Sequence, residues 1–85
     1  MAELLKVEKI AVADVYVPAK RRTTLDPKKV DEIAESMLAS GQLTPIMVRV
    51  DGKRFVLVEG LHRLEACRAL GETEIKGIFV RARQG

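Results

Sequence analysis

The residues best suited to chemistry lie together in Val56-Leu57-Val58-Glu59-Gly60-Leu61-His62-Arg63-Leu64-Glu65-Ala66-Cys67. An apolar run that reads as a buried strand stops at Gly60, and two basic side chains follow where a helix should begin. A helix start already carries partial positive charge from its unpaired N–H groups, so each added cation there costs about 0.3–1 kcal/mol. His62 and Arg63 make electrostatic sense at such a point when an anion completes the site. Strand, glycine, helix start and basic residues form the general layout of a phosphate cradle. The alternative is a solvated turn in which Arg63 pairs with Glu59 or Glu65, and spacing alone leaves both open. Glu59 could help hold a magnesium ion, act as a general base, or simply pair with Arg63. Gly60 suits either a plain strand-ending turn or a close approach of backbone to phosphate.

The elements that must position this corner are legible in outline. Val7 to Val17 reads as an opening strand, and Pro18 to Thr24 as a polar, basic connection containing Lys20-Arg21-Arg22. Asp26 is a good N-cap, Pro27 suits the first helical position and Gly41 closes the helix. Between them Val30, Ile33, Ala34, Met37 and Leu38 recur at helical spacing and predict one apolar face. Thr44-Pro45 breaks the chain, Ile46 to Val50 reads as a strand, and Asp51-Gly52 is a two-residue hairpin signal. Arg54 to Glu59 has apolar residues on both faces, which places it inside the sheet. A later helix starts at Leu61 or His62 and ends near Gly71, Glu74 to Val80 forms a last strand, and Arg81 to Gly85 is a basic tail. The predicted order, β-α-β-β-α-β, makes a single α+β domain over residues 1–85, with two helices packed on a small mixed sheet.

Composition narrows the functions. With 47% hydrophobic residues in 85, the chain supports one globular core and no disordered design. No apolar run approaches the roughly 20 residues of a membrane span, and the N-terminus shows no secretory pattern. A lone cysteine forms no internal disulfide and fits a reducing cytoplasm; one histidine and one cysteine build no zinc site. The net charge of +3 permits nucleic acid or nucleotide partners without requiring them. Tyr16, Phe55 and Phe79 are the only aromatic residues, so any contact with DNA is expected through backbone charge, to which Lys76, Arg81 and Arg83 could contribute.

The stretches Leu25 to Val30, Ala34 to Met37, Gly41 to Arg49, Glu59 to Arg63 and Glu65-Ala66, in that order between about Val7 and Val80, resemble the ParB/sulfiredoxin superfamily. The resemblance implies its fold, and nucleotide phosphates held by Gly60, Leu61, His62 and Arg63. In the partition branch that loop reads Gly-Glu-Arg-Arg, with CTP and magnesium; in sulfiredoxins it reads Gly-Cys-His-Arg, with ATP and a catalytic cysteine. A serine-kinase branch reads Asp-Gly-His-His-Arg, so Glu59 is similar to its acid. Leu61 stands where the sulfiredoxin nucleophile would be, which argues against that activity, and Cys67 reads as a small core residue. By the same resemblance Lys29 matches a nucleotide-site lysine and Ser36 replaces a threonine. Glu32 stands where a serine would be, Arg22 matches an arginine of the partition branch, and Thr44-Pro45 matches a turn that closes the pocket.

The leading expectation is therefore a ParB-like domain that binds CTP or ATP with magnesium and serves DNA partition or gene regulation. Nucleotide state would change how it associates with itself or with DNA. Residues 1–85 include neither the helix-turn-helix nor the dimerisation segment of partition proteins, so sequence-specific operator reading is not expected of them. A second expectation is a phosphotransferase or nucleotide hydrolase using Glu59. A third is a degenerate fold kept for protein contact, favoured by Leu61 as an apolar residue at the loop tip.

Overall fold

The computed structural model describes residues 6–42 and 44–80. Its strands are β1 (Val7–Ala11), β2 (Val15–Tyr16), β3 (Ile46–Asp51), β4 (Arg54–Glu59) and β5 (Glu74–Phe79); its helices are α1 (Ala19–Arg22), α2 (Pro27–Ser40) and α3 (Leu61–Ala69). The mixed α+β architecture agrees with the sequence reading, with differences at the N-terminal end. The expected opening strand is two strands, separated by a 3₁₀ turn at Val12–Asp14. Buried positions fall at Ile10 and Val12, then at Val15 and Val17, so the period-2 pattern slips by one residue between Val12 and Val15. That slip is the turn. It sends β1 and β2 to opposite edges of a sheet ordered β1-β5-β3-β4-β2.

The expected polar connection contains the single-turn helix α1. It forms because Pro18 opens it, and the hydroxyls of Thr23 and Thr24 donate to the carbonyls of Lys20 and Arg21, each at 2.8 Å. The hairpin between β3 and β4 turns on Gly52 and Lys53, since Asp51 still pairs with Arg54. The turn therefore lies one residue later than the Asp51-Gly52 signal. Gly52, at φ +64°, takes the first central position. β4 lies inside the sheet, antiparallel to β3 and parallel to β2, as its apolar faces require.

α2 begins as predicted. The Asp26 side chain accepts from Lys28 N at 3.0 Å, Pro27 follows, and the Gly41 amide closes the helix on the Met37 carbonyl at 2.8 Å. Val30, Ile33, Ala34 and Met37 are half-buried, whereas Leu38 is 74% exposed and leaves the expected apolar face. α3 is the more deeply seated helix. Leu61, Leu64 and Cys67 enter a core built with Ile10, Ile46, Val48, Leu57 and Ile75. Leu61 is thus a core side chain, 7% exposed, and the loop-tip apolar contact expected of it is absent.

Between β4 and α3 the chain turns at Gly60, whose φ of +109° lies in the left-handed region. A Cβ there would stand 2.6 Å from Ile46 Cγ2 and 3.2 Å from Ile46 Cα. Gly71 has φ +75° and nothing within 4 Å of the same position, which separates backbone strain from steric contact. Gly71→Ala should cost about 1–2 kcal/mol through strain. Gly60→Ala should cost about 1–3 kcal/mol more through overpacking against Ile46. Urea unfolding of both variants measures the difference, and equal costs would show that the Ile46 contact yields freely.

Candidate functional site

The turn at Gly60 sets the site. Just before it Met47 pairs with Glu59 while Val48 pairs with Leu57, a one-residue step in register that leaves Val58 over. Such bulges re-aim the residues that follow them. Just after it, α3 starts without a side-chain cap, and Gly60 contributes only its carbonyl, which accepts from Leu64 N at 2.9 Å. Among the described residues the amides of Leu61, His62 and Arg63 meet no acceptor, so the first turn keeps its partial positive charge.

Two adjoining lobes of one cleft open at this helix start. The first, of about 340 Å³, has Arg21, Thr24, Glu59, Gly60, His62 and Arg63 among its lining residues. The second, of about 200 Å³, is lined by Ile33, Ser36, Met37, Gln42 and Thr44 among others, and shares Ile33 and Arg63 with the first. Arg63 is half-buried at the junction and makes no ion pair among the described residues. Its rival partners are otherwise disposed: Glu65 pairs with Arg68 at 2.8 Å, and Glu59 is exposed at the end of β4. A larger cleft of about 400 Å³ lies at the far end of α3, walled by Met37, Leu38 and Leu70, and shares none of the residues that line the first lobe.

Glu59, Gly60, Leu61, His62 and Arg63 therefore surround one lobe, with Ser36 and Thr44 in its neighbour. Leu61 reaches the lobe while its side chain belongs to the core. Arg22 and Lys29, both exposed, line neither lobe. Arg21 occupies the place expected of Arg22, because consecutive residues of the α1 turn point in different directions. Lys29 lies one turn before Ile33 on the same face of α2, just outside the cleft.

Sequence reasoning missed Gln42. Its Nε2 donates to the carbonyls of Thr44 and Lys76, both at 2.9 Å, and its Oε1 accepts from Lys76 N at 2.7 Å. One amide thus extends β3 backward against β5 and holds the turn that carries Thr44. Only its place directly after the helix-closing glycine hinted at this. The expected basic tail, with Arg81 and Arg83, lies outside the described residues.

The family model of the ParB N-terminal domain matches residues 2–84. The chain belongs to the ParB N-terminal domain family. A relative, the probable chromosome 1-partitioning protein ParB of Deinococcus radiodurans, is 37% identical over 73 residues, which are 86% of this chain and 24% of the relative. This ParB-like chain spans 19–24% of the length of the partitioning relatives it matches. Among solved structures it is similar to sulfiredoxin from Arabidopsis thaliana, with a TM-score of 0.81, 25% identity, and coverage of 91% of this chain and 86% of that one. It is also similar to the C-terminally truncated chromosome-partitioning protein ParB of Caulobacter crescentus complexed with CTP-gamma-S, with a TM-score of 0.79, 18% identity, and coverage of 93% and 46%. These likenesses agree with the fold and family resemblance read from the sequence. No helix among the described residues is long and apolar enough to cross a membrane.

Cys67 lies in this ParB-like core at 1% exposure, and burial, with the Glu72 carboxylate as a lesser cause, pushes its thiol pKa up. A thiol whose pKa is higher folded than unfolded stabilises the fold fully below the unfolded pKa. That contribution is lost as pH rises through the folded value, because the unfolded thiol ionises first. The native protein at pH 8 should therefore react with an aromatic disulfide reagent far more slowly than the urea-unfolded chain. The urea midpoint should fall above about pH 9, where free thiols ionise, and Cys67→Ala should remove that part of the fall. Rapid labelling of native Cys67 would contradict this account.

Proposed function

We propose that this domain binds a nucleoside di- or triphosphate, CTP or ATP class, with the phosphates at the start of α3. The observation that carries the reading is Arg63: half-buried, without an ion pair among the described residues, and shared by two lobes that meet over an uncapped helix. A guanidinium there is stabilised by an anion, and no carboxylate among the described residues pairs with it. Arg21 in the lining of the same lobe supplies a second guanidinium, the amides of Leu61, His62 and Arg63 supply donors, and Ser36 and Thr44 stand ready for the rest of the ligand.

Glu59 is the one carboxylate lining the phosphate lobe, and the described residues include no group of three or more His, Cys, Asp or Glu able to hold a metal. Magnesium would accordingly arrive with the nucleotide, Glu59 offering a single protein oxygen to it. Magnesium when bound neutralises phosphate charge. In this reading the domain serves DNA partition or gene regulation, as the partitioning relatives support, and ligand state alters its association with itself or with DNA.

Calorimetric titration of CTP, ATP and ADP, each with magnesium, should give saturable binding by at least one of them. Arg63→Ala should weaken it about 10- to 100-fold, the worth of a charge-assisted hydrogen bond. Absence of binding by any nucleotide would overturn the reading. Phosphate release or transfer abolished by Glu59→Gln would make the domain an enzyme; binding without turnover supports a switch. Duplex DNA affinity should fall steeply from 50 to 200 mM salt, and a salt-independent affinity would rule out contact through backbone charge.

A further inference from the structure

We propose that His62 is a positioning residue: a neutral ring, protonated on Nδ1, that latches the connector before α2 to the first turn of α3. The proposal deepens the reading of this corner as an anion site, and in its functional part rests on it. The decisive contact is a 3.0 Å hydrogen bond from the backbone amide of Asp26 to His62 Nε2. A backbone amide can only donate, so Nε2 must present its lone pair. The ring proton then sits on Nδ1, and an imidazolium, with both nitrogens protonated, has no place in this bond. This tautomer is the less common one for a histidine side chain in water, and its presence is a signature of the latch.

Asp26 makes three hydrogen bonds at once. Its amide donates to His62, its Oδ1 accepts from Lys28 N at 3.0 Å, and its carbonyl accepts from Val30 N at 3.1 Å. The ring thus ties the N-cap of α2 to α3, across 36 residues of chain. Directly before Asp26 runs the connector whose Thr24, with Arg21, lines the same phosphate lobe as Arg63. Holding that connector down fixes the gap between Arg21 and Arg63. The charged groups around the ring are Arg21, Arg63, Glu59 and the Asp26 carboxylate. His62 therefore contributes geometry to the site, and the guanidiniums contribute the charge.

Long-range proton–nitrogen NMR of the whole chain at neutral pH should show the His62 ring protonated on Nδ1 and bare on Nε2. A ring protonated on Nε2, or on both nitrogens, overturns the latch whatever the ligand results. Calorimetry with inorganic tripolyphosphate then tests its consequence. His62→Ala should weaken binding about three- to tenfold, the worth of one hydrogen bond, and His62→Gln, whose amide oxygen can accept from Asp26, should stay within about twofold of the parent. Arg63→Ala serves as the control for the anion site itself. Equal binding by the parent and His62→Ala, with loss in Arg63→Ala, overturns the positioning role and leaves the anion site standing. No binding of tripolyphosphate or nucleotide by the parent overturns the anion site, and the tautomer then decides the latch alone. Should His62→Ala fail to fold, the tautomer and the Gln variant still decide.

Discussion

The absence of a side chain at residue 60 lets the centre of the sheet and the start of α3 lie against each other. Ile46, fully buried on β3, occupies the space a Cβ would need, and the positive φ of Gly60 turns the chain directly from β4 into the helix. The requirement for glycine is therefore met by packing before any ligand is considered. Leu61, Leu64 and Cys67 then drop into the core, and Arg63 is carried to the cleft because Leu64 beside it is anchored inward. The site inherits its rigidity from this contact, since the groups around the helix start are fixed by buried neighbours.

Electrostatics at the corner follow from the same arrangement. A helix that starts on glycine has no side chain to satisfy its first amides, so their donor capacity is left for whatever enters the cleft. Three elements contribute to that point. α3 brings Arg63, α1 brings Arg21, and the bulged end of β4 brings Glu59, the only acid lining the lobe. Gln42 holds the floor of the neighbouring lobe through three hydrogen bonds to backbone, so its amide acts as a strand extension and is not available to a ligand.

Much of this could be read from residue types. The Asp26-Pro27 start of α2, the inward position of β4 and the Gly60–Arg63 cluster are local signals, and local signals survive folding. What escaped reading depended on small shifts. The opening strand hid its break in one slipped step between Val12 and Val15. Arg21 could not be told from Arg22 without the direction of a single helical turn, and Leu38 could not be told from Met37 without knowing how much of α2 its neighbours cover. Gln42 offered only its place after Gly41, because its role is set by a strand more than thirty residues away. Side-chain bonds to distant backbone have no sequence period.

The two halves of the N-terminal stretch take partners on opposite sides of the sheet: β1 pairs with β5, and β2 pairs with β4. A nascent polypeptide leaving the ribosome thus holds its first strand unpaired until Glu74–Phe79 has emerged. Closing the chain from β1 to β5 carries an entropic cost that comes before the reward of pairing. The β3–β4 hairpin and its β2 neighbour are complete in the chain before β5 is made, so the β1 edge of the sheet is the part that must wait.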